Sequence, residues 1–221
     1  AAVPTPATAT NFGKGIVASL GDFGKLGIQP THPEMLDWLA ADFVEHGWDL
    51  KRLHRQILNS TVYRQSSARD TKREQIDPDN ALYSRMNVRR LEAEVLRDAM
   101  LSVAGRLVHT QGGAPVPVMH NVVGQVVLGI DTTDTAGRPS GKFVSMNGQD
   151  LRRSVYVQNR RTQPLEMFAA FDAPSMMEAN CDTRPVTTVS PQSLLLMNNG
   201  YMREYAGNFA QRVEREVPAD A

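Results

Sequence analysis

A single cysteine, Cys181, stands in 221 residues. One thiol excludes an intramolecular disulfide, an all-cysteine zinc site and c-type haem attachment within this chain. It leaves the compartment open, because a chain of this length buries a core without covalent staples. Net charge is lacking too: 24 Lys plus Arg balance 24 Asp plus Glu. That balance removes the simplest electrostatic case for a nucleic acid or an anionic membrane as partner. No apolar run approaches the ~18 residues of a membrane span. The opening "AAVPTPATAT" has neither the basic start nor the apolar centre of a signal peptide. Residues 1–12 therefore read as a flexible leader or truncated end, residues 13–217 as a single helical domain, and residues 218–221 as a tail.

What is present is mainly helical periodicity. After a glycine-punctuated segment (Gly13, Gly15, Gly21, Gly24, Gly27), Met35, Leu36, Leu39 and Phe43 recur at helical spacing, with Trp38 widening the stripe. Thr31 followed by Glu34 has the spacing of a capping box. Gly47 ends that helix and Asp49 caps the next, where Leu50, Leu53, Ile57 and Leu58 share a face. The stretches 60–67 and 66–80 read as extended and loop-like. A third helix is expected over Arg89–Leu107, with Leu91, Val95, Ala99 and Val103 at steps of four. The middle is rich in Gly, Pro and β-branched residues, and "SVYVQNR" alternates as a strand would. "LEMFAAFD" reads as a short helix, and 190–216 as one long helix opened by Ser190-Pro191. The fold class is thus mainly α: an irregular helical domain with long loops and a short β element near 154–158.

Chemistry is harder to find. His32-Pro33-Glu34 has the His-x-Glu of a zinc deaminase, but one cysteine cannot supply that site's Cys-x-x-Cys. No other pattern of metal-ligand spacing occurs, so no metal or cofactor is expected within the chain. Cys181 lacks a neighbouring His, and Asp131 and Asp134 lack the rest of a calcium loop. His54 lies between Leu50 and Leu58, where a hydrogen-bonded structural role outweighs catalysis. Glu94 and Asp98 stand four apart on the third helix, within reach of Arg90 and Arg97 as a salt-bridge ladder. Arginine doublets at 89–90, 152–153 and 160–161 supply forks that hold phosphate or carboxylate, and salt bridges are their default use. Arg89, Arg90 and Arg184 are the ligand-binding candidates, Arg184 together with the start of the C-terminal helix as an anion site.

Five ordered blocks carry a resemblance. They are "GKGIVASLGDFGKLGIQPTHPEMLDWLAADFVEHGWDLKRLHRQILNSTVYRQSS", "DPDNALYSRMNVRRLEAEVLRDAMLSVAGRL", "RRSVYV", "FAAFDAP" and "RPVTTVSPQSLLLMNN". From about Gly13 to Val213 the chain resembles the domain of unknown function 1553. That is a planctomycete-type domain found C-terminally in proteins with cytochrome-c-like modules. The resemblance implies a periplasmic or cell-surface location and haem c on a separate upstream module. It supplies no catalytic residues. The Ala/Thr/Pro leader replaces the Asn/Arg/Trp-rich helical segment usual there, which marks the chain as a fragment or an altered member. The expected role is a non-catalytic interaction or scaffold module working on other domains of the same or a neighbouring protein. The competing expectation is a hydrolase, acting on polysaccharide, that uses Glu94, Asp98 or Asp22 with His54.

Overall fold

The computed structural model describes residues 4–22, 25–138, 140, 142, 144–160, 163–174 and 186–217. Cys181, Arg161 and Arg184 lie outside them. The chain divides into two compact units, Ala1–Arg90 and Leu91–Ala221.

The first unit contains α1 (Pro4–Phe12), α2 (Pro33–Glu45), α3 (Leu50–Asn59), α4 (Thr61–Arg64) and α5 (Thr71–Ile76). The expected leader is therefore a helix. Its sequence disguises this with Pro6 and β-branched Thr, but burial of Ala7 and Phe12 outweighs weak propensity. Gly13, at φ +80°, ends α1 in the left-handed conformation, and its N–H donates to Ala9 O at 2.8 Å. Helix α2 buries Leu36, Leu39 and Phe43, but Trp38 lies outside that stripe and is exposed. Its N-cap is His32, without a side-chain cap bond, so the expected Thr31–Glu34 box does not form. Thr31 is tied elsewhere: its backbone N–H donates to Ile16 O at 2.9 Å and its hydroxyl to the same oxygen at 3.3 Å.

Asp49 caps α3 as its spacing predicts, accepting from Arg52 N at 3.1 Å. Leu53 and Ile57 face the core, while Leu50 and Leu58 are exposed. The supposed extended and loop stretches contain α4 and α5. Both are opened by side-chain caps, Ser60 to Tyr63 N and Asp70 to Lys72 N and Arg73 N. Polar sequence hid these short helices because local capping, not an apolar stripe, sets them.

The second unit contains α6 (Ala93–Val103), β1 (Val118–His120), β2 (Val126–Leu128), α7 (Glu166–Ala170), α8 (Ser190–Asn198) and α9 (Gly200–Glu216). Helix α6 is shorter than expected and faces the other way. Ala93, Arg97 and Leu101 are buried, whereas Val95 and Val103 are about half exposed. Strands β1 and β2 pair antiparallel with Met119 opposite Val127. The stretch expected to be the β element forms a 3-10 turn at Ser154–Tyr156, with Val157 in an isolated parallel bridge to Val116. The expected long C-terminal helix is two, broken at Asn199, whose side chain accepts from Tyr201 N at 2.9 Å and caps α9. One core joins α6, α7 and α9 through Leu101, Met167, Phe171, Met202 and Tyr205, and another gathers Val116, Val118, Leu128 and Leu165.

Candidate functional site

Among the described residues a dense polar cluster lies where α6 meets the 149–156 turn of the second unit. Helical spacing points Arg97 inward at 2 % exposure. A guanidinium is buried at tolerable cost only when its donors are satisfied. Arg97 Nη1 donates to Arg152 O at 3.0 Å and Ser154 Oγ at 3.1 Å, and Nη2 donates to Asp150 O. Asp98, the next residue, accepts the backbone N–H and the hydroxyl of Ser154, each at 2.7 Å on Oδ1. Arg97 Nη1 stands 3.7 Å from that oxygen, and Arg153 Nε 3.6 Å from Oδ2.

Arg152 is equally buried. It donates to Ala114 O at 2.9 Å, Gln149 Oε1 at 3.2 Å and Gly112 O, and its guanidinium lies 4.1 Å from the Tyr156 ring centre. The doublet Arg152-Arg153, which the sequence offers to an anionic ligand, is thus directed at the protein's own carbonyls and at Asp98. Glu94 stands one turn before Asp98 on α6, half-buried.

In the first unit His54 Nδ1 faces the Asn11 amide nitrogen at 3.1 Å, and that amide also donates to Ala7 O at 2.7 Å. An amide nitrogen can only donate, so Nδ1 is the acceptor in this contact. Asp22 belongs to an exposed turn whose carbonyl accepts from Ser19 Oγ at 2.8 Å. Arg89 is exposed, with its stem beside Gly13, and Arg90 is half-buried.

Three acidic groups of the first unit, Asp42, Asp77 and Tyr83, are electrostatically perturbed. Asp42 accepts from Arg52 Nη2 at 2.8 Å and Gln56 Nε2 at 3.0 Å, with His46 Nδ1 at 3.3 Å. The Arg52 guanidinium, above all, holds its carboxyl below the usual range. Asp77 is also lowered, first by the Leu82 N–H. Tyr83, at φ +56°, donates its hydroxyl to Lys14 O at 3.0 Å and packs on Phe12 and His32, with ring centres at 5.0 and 5.6 Å. Burial pushes its phenol up to about 12. Helical spacing between Asp42 and His46 was visible in the sequence, but the link from α2 to Arg52 and Gln56 of α3 was not.

Among the described residues no group of three His, Cys, Asp or Glu is placed to hold a metal ion. An apolar pocket of the second unit, lined by Leu128, Leu165, Met202, Tyr205 and Arg97, has a volume of about 30 Å³. No described helix is long and apolar enough to cross a membrane.

These features define a mainly α-helical protein of two compact units in which Asp98, Arg97, Arg152 and Asp42 are engaged in internal contacts. The chain belongs to the PSD1 family, protein of unknown function (DUF1553), whose match spans residues 9–220. No curated protein and no solved structure matches it.

Proposed function

We propose that this chain is a non-catalytic interaction module of a larger exported polypeptide, docking on other domains of that protein or of a neighbour, a haem-binding module included. One observation carries the reading. The carboxylate best placed for acid–base work, Asp98, is committed to Ser154 and two arginines, while the chain's two tryptophans, Trp38 and Trp48, are 59 % and 61 % exposed. A base held by three partners is poorly free to take a proton from substrate. Exposed tryptophan carries a large apolar area at little entropic cost, and it is over-represented where partners bind tightly.

Trp38 stands within α2 and Trp48 three residues beyond its last residue, Glu45. Helix α2 turns Leu36, Leu39 and Phe43 inward and leaves Met35, Trp38 and Val44 outside. Gly47 and Trp48 both take positive φ, and Trp48 N donates to Phe43 O at 2.9 Å as the helix closes. The Trp48 ring meets Phe43 edge-on at 5.2 Å, which fixes its orientation while leaving most of it in solvent. Export and the haem connection rest on the family resemblance.

The test is binding of the module that adjoins this domain in its natural polypeptide, supplied as a separate chain. Trp38→Ser and Trp48→Ser should each weaken binding by about tenfold, the scale of one hot-spot aromatic, with the circular dichroism unchanged. Wild-type affinity in both variants, or polysaccharide hydrolysis that Asp98→Asn abolishes in a folded protein, would overturn the reading.

A further inference from the structure

At the C-terminal end of α6 the second unit has an open groove of about 500 Å³, lined by Ala104, Gly105, Arg106, Asn208, Gln211, Glu214 and Arg215. From its lining we infer that this groove binds a small carboxylate-bearing ligand, of the size of a tricarboxylic acid or a short acidic peptide segment.

The first argument is charge. Arg106 and Arg215 stand against Glu214, two positive charges against one negative, so the lining carries one cation in excess. Arg212, beside the groove, adds none, because its Nε pairs with Glu216 Oε1 at 2.8 Å.

The second argument is what Arg212 does to the helix end. Terminal carbonyls of a helix carry partial negative charge and repel an anion. Arg212 Nη1 donates to Ser102 O at 3.2 Å and Val103 O at 2.9 Å, which covers those carbonyls. The end of α6 that borders the groove therefore no longer opposes a carboxylate.

The third argument is spare donor capacity. Among the described residues the Arg106 guanidinium has no hydrogen-bond or ion-pair partner, and Arg215 uses only Nε, on Gln211 O at 3.2 Å. A guanidinium fork matches a carboxylate in two parallel bonds. The primary amides of Asn208 and Gln211 supply donors and acceptors for further polar groups of the ligand. The volume falls within the range of small-molecule sites, and its openness to water suits a charged, hydrated ligand. None of these residues belongs to the tryptophan surface, so this site stands independently of that reading.

Citrate, triglutamate and inorganic phosphate are titrated into the whole chain by calorimetry, with chemical shifts of the Asn208 and Gln211 side-chain amides as the site readout. Citrate or triglutamate should bind at or below about 10 mM and shift both amides. Tighter citrate binding assigns a free acid, and tighter triglutamate binding an acidic polypeptide segment. Arg106→Ala and Arg215→Ala should each weaken the better probe about tenfold, Arg106→Lys should recover part of the loss, and Glu214→Gln should tighten binding. Preference for phosphate over both carboxylates contradicts the assignment. So does binding that none of these substitutions changes, or the failure of both carboxylates to bind.

Discussion

Ser154 gives both its backbone N–H and its hydroxyl proton to one oxygen of Asp98, each at 2.7 Å. A residue of the 149–156 turn is thereby anchored to a helix 56 positions earlier in sequence. Bonds to an ionised acceptor are about twice as strong as neutral ones, and Arg97 and Arg153 add charge on either side. Asp98→Ala should destabilise the chain by about 3 kcal/mol and Ser154→Ala by about 1.5 kcal/mol, from urea unfolding. The double mutant should cost less than their sum by about 1 kcal/mol, the coupling expected of direct partners. Strict additivity would mean that the contact does not hold the turn.

Arg97 has its guanidinium on Arg152 O, Ser154 Oγ and Asp150 O. Removing it leaves these acceptors, and Asp98, short of a buried donor. Arg97→Ala should cost about 3–5 kcal/mol, while Arg97→Met, which refills the volume, should cost less. Equal losses from both would show that the lost hydrogen bonds, rather than packing, decide the cost at this position.

Acid should act in part through Asp42 and Asp77. Both carboxyls are lowered in the folded chain from 3.8, Asp42 mainly by Arg52 and Asp77 mainly by the Leu82 N–H. A depressed folded value gives stability that is fully present above the unfolded value and lost as pH falls through the folded one. Thermal melting should therefore stay level near neutrality and drop below about pH 4, the unfolded carboxylate range. Asp42→Asn should flatten that drop. An unchanged acid limb in the variant would remove Asp42 from the account.

Tyr83 reports the alkaline side. Its folded value of about 12 lies above the ordinary 10.0, so its contribution is complete below pH 10 and is lost as pH rises toward the folded value. Burial also raises Tyr201 and Tyr205, so phenolate absorbance should show several late-titrating tyrosines in the wild type and one fewer in Tyr83→Phe.

Much of the helical layout was legible in the sequence where one local rule suffices. Asp49 before Leu50 announces α3 and the 36–39–43 spacing announces α2, whereas the apolar spacing of 190–216 hid the break at Asn199. Local rules fail where long-range contacts decide. The four-step apolar stripe of α6 suggests the wrong buried face, because the inward position belongs to Arg97, whose acceptors lie more than 50 residues downstream. Thr31 loses its capping role to Ile16, 15 residues earlier. Of the candidate site residues, Asp98 was visible by type and spacing, but its engagement by Ser154 was not. The groove at Arg106 carried only the signal of an arginine just after the helix-ending Gly105.

The central claim is that this chain acts through its exposed tryptophan surface. Trp38 and Trp48 are its only tryptophans, so fluorine NMR on fluorotryptophan-labelled chain gives two signals to follow. On addition of the adjoining module of the natural polypeptide, at least one signal should shift or broaden saturably. The loss of solvent isotope shift at that ring should confirm its burial. Two signals unchanged at saturating module, in a chain that remains folded, would contradict the account.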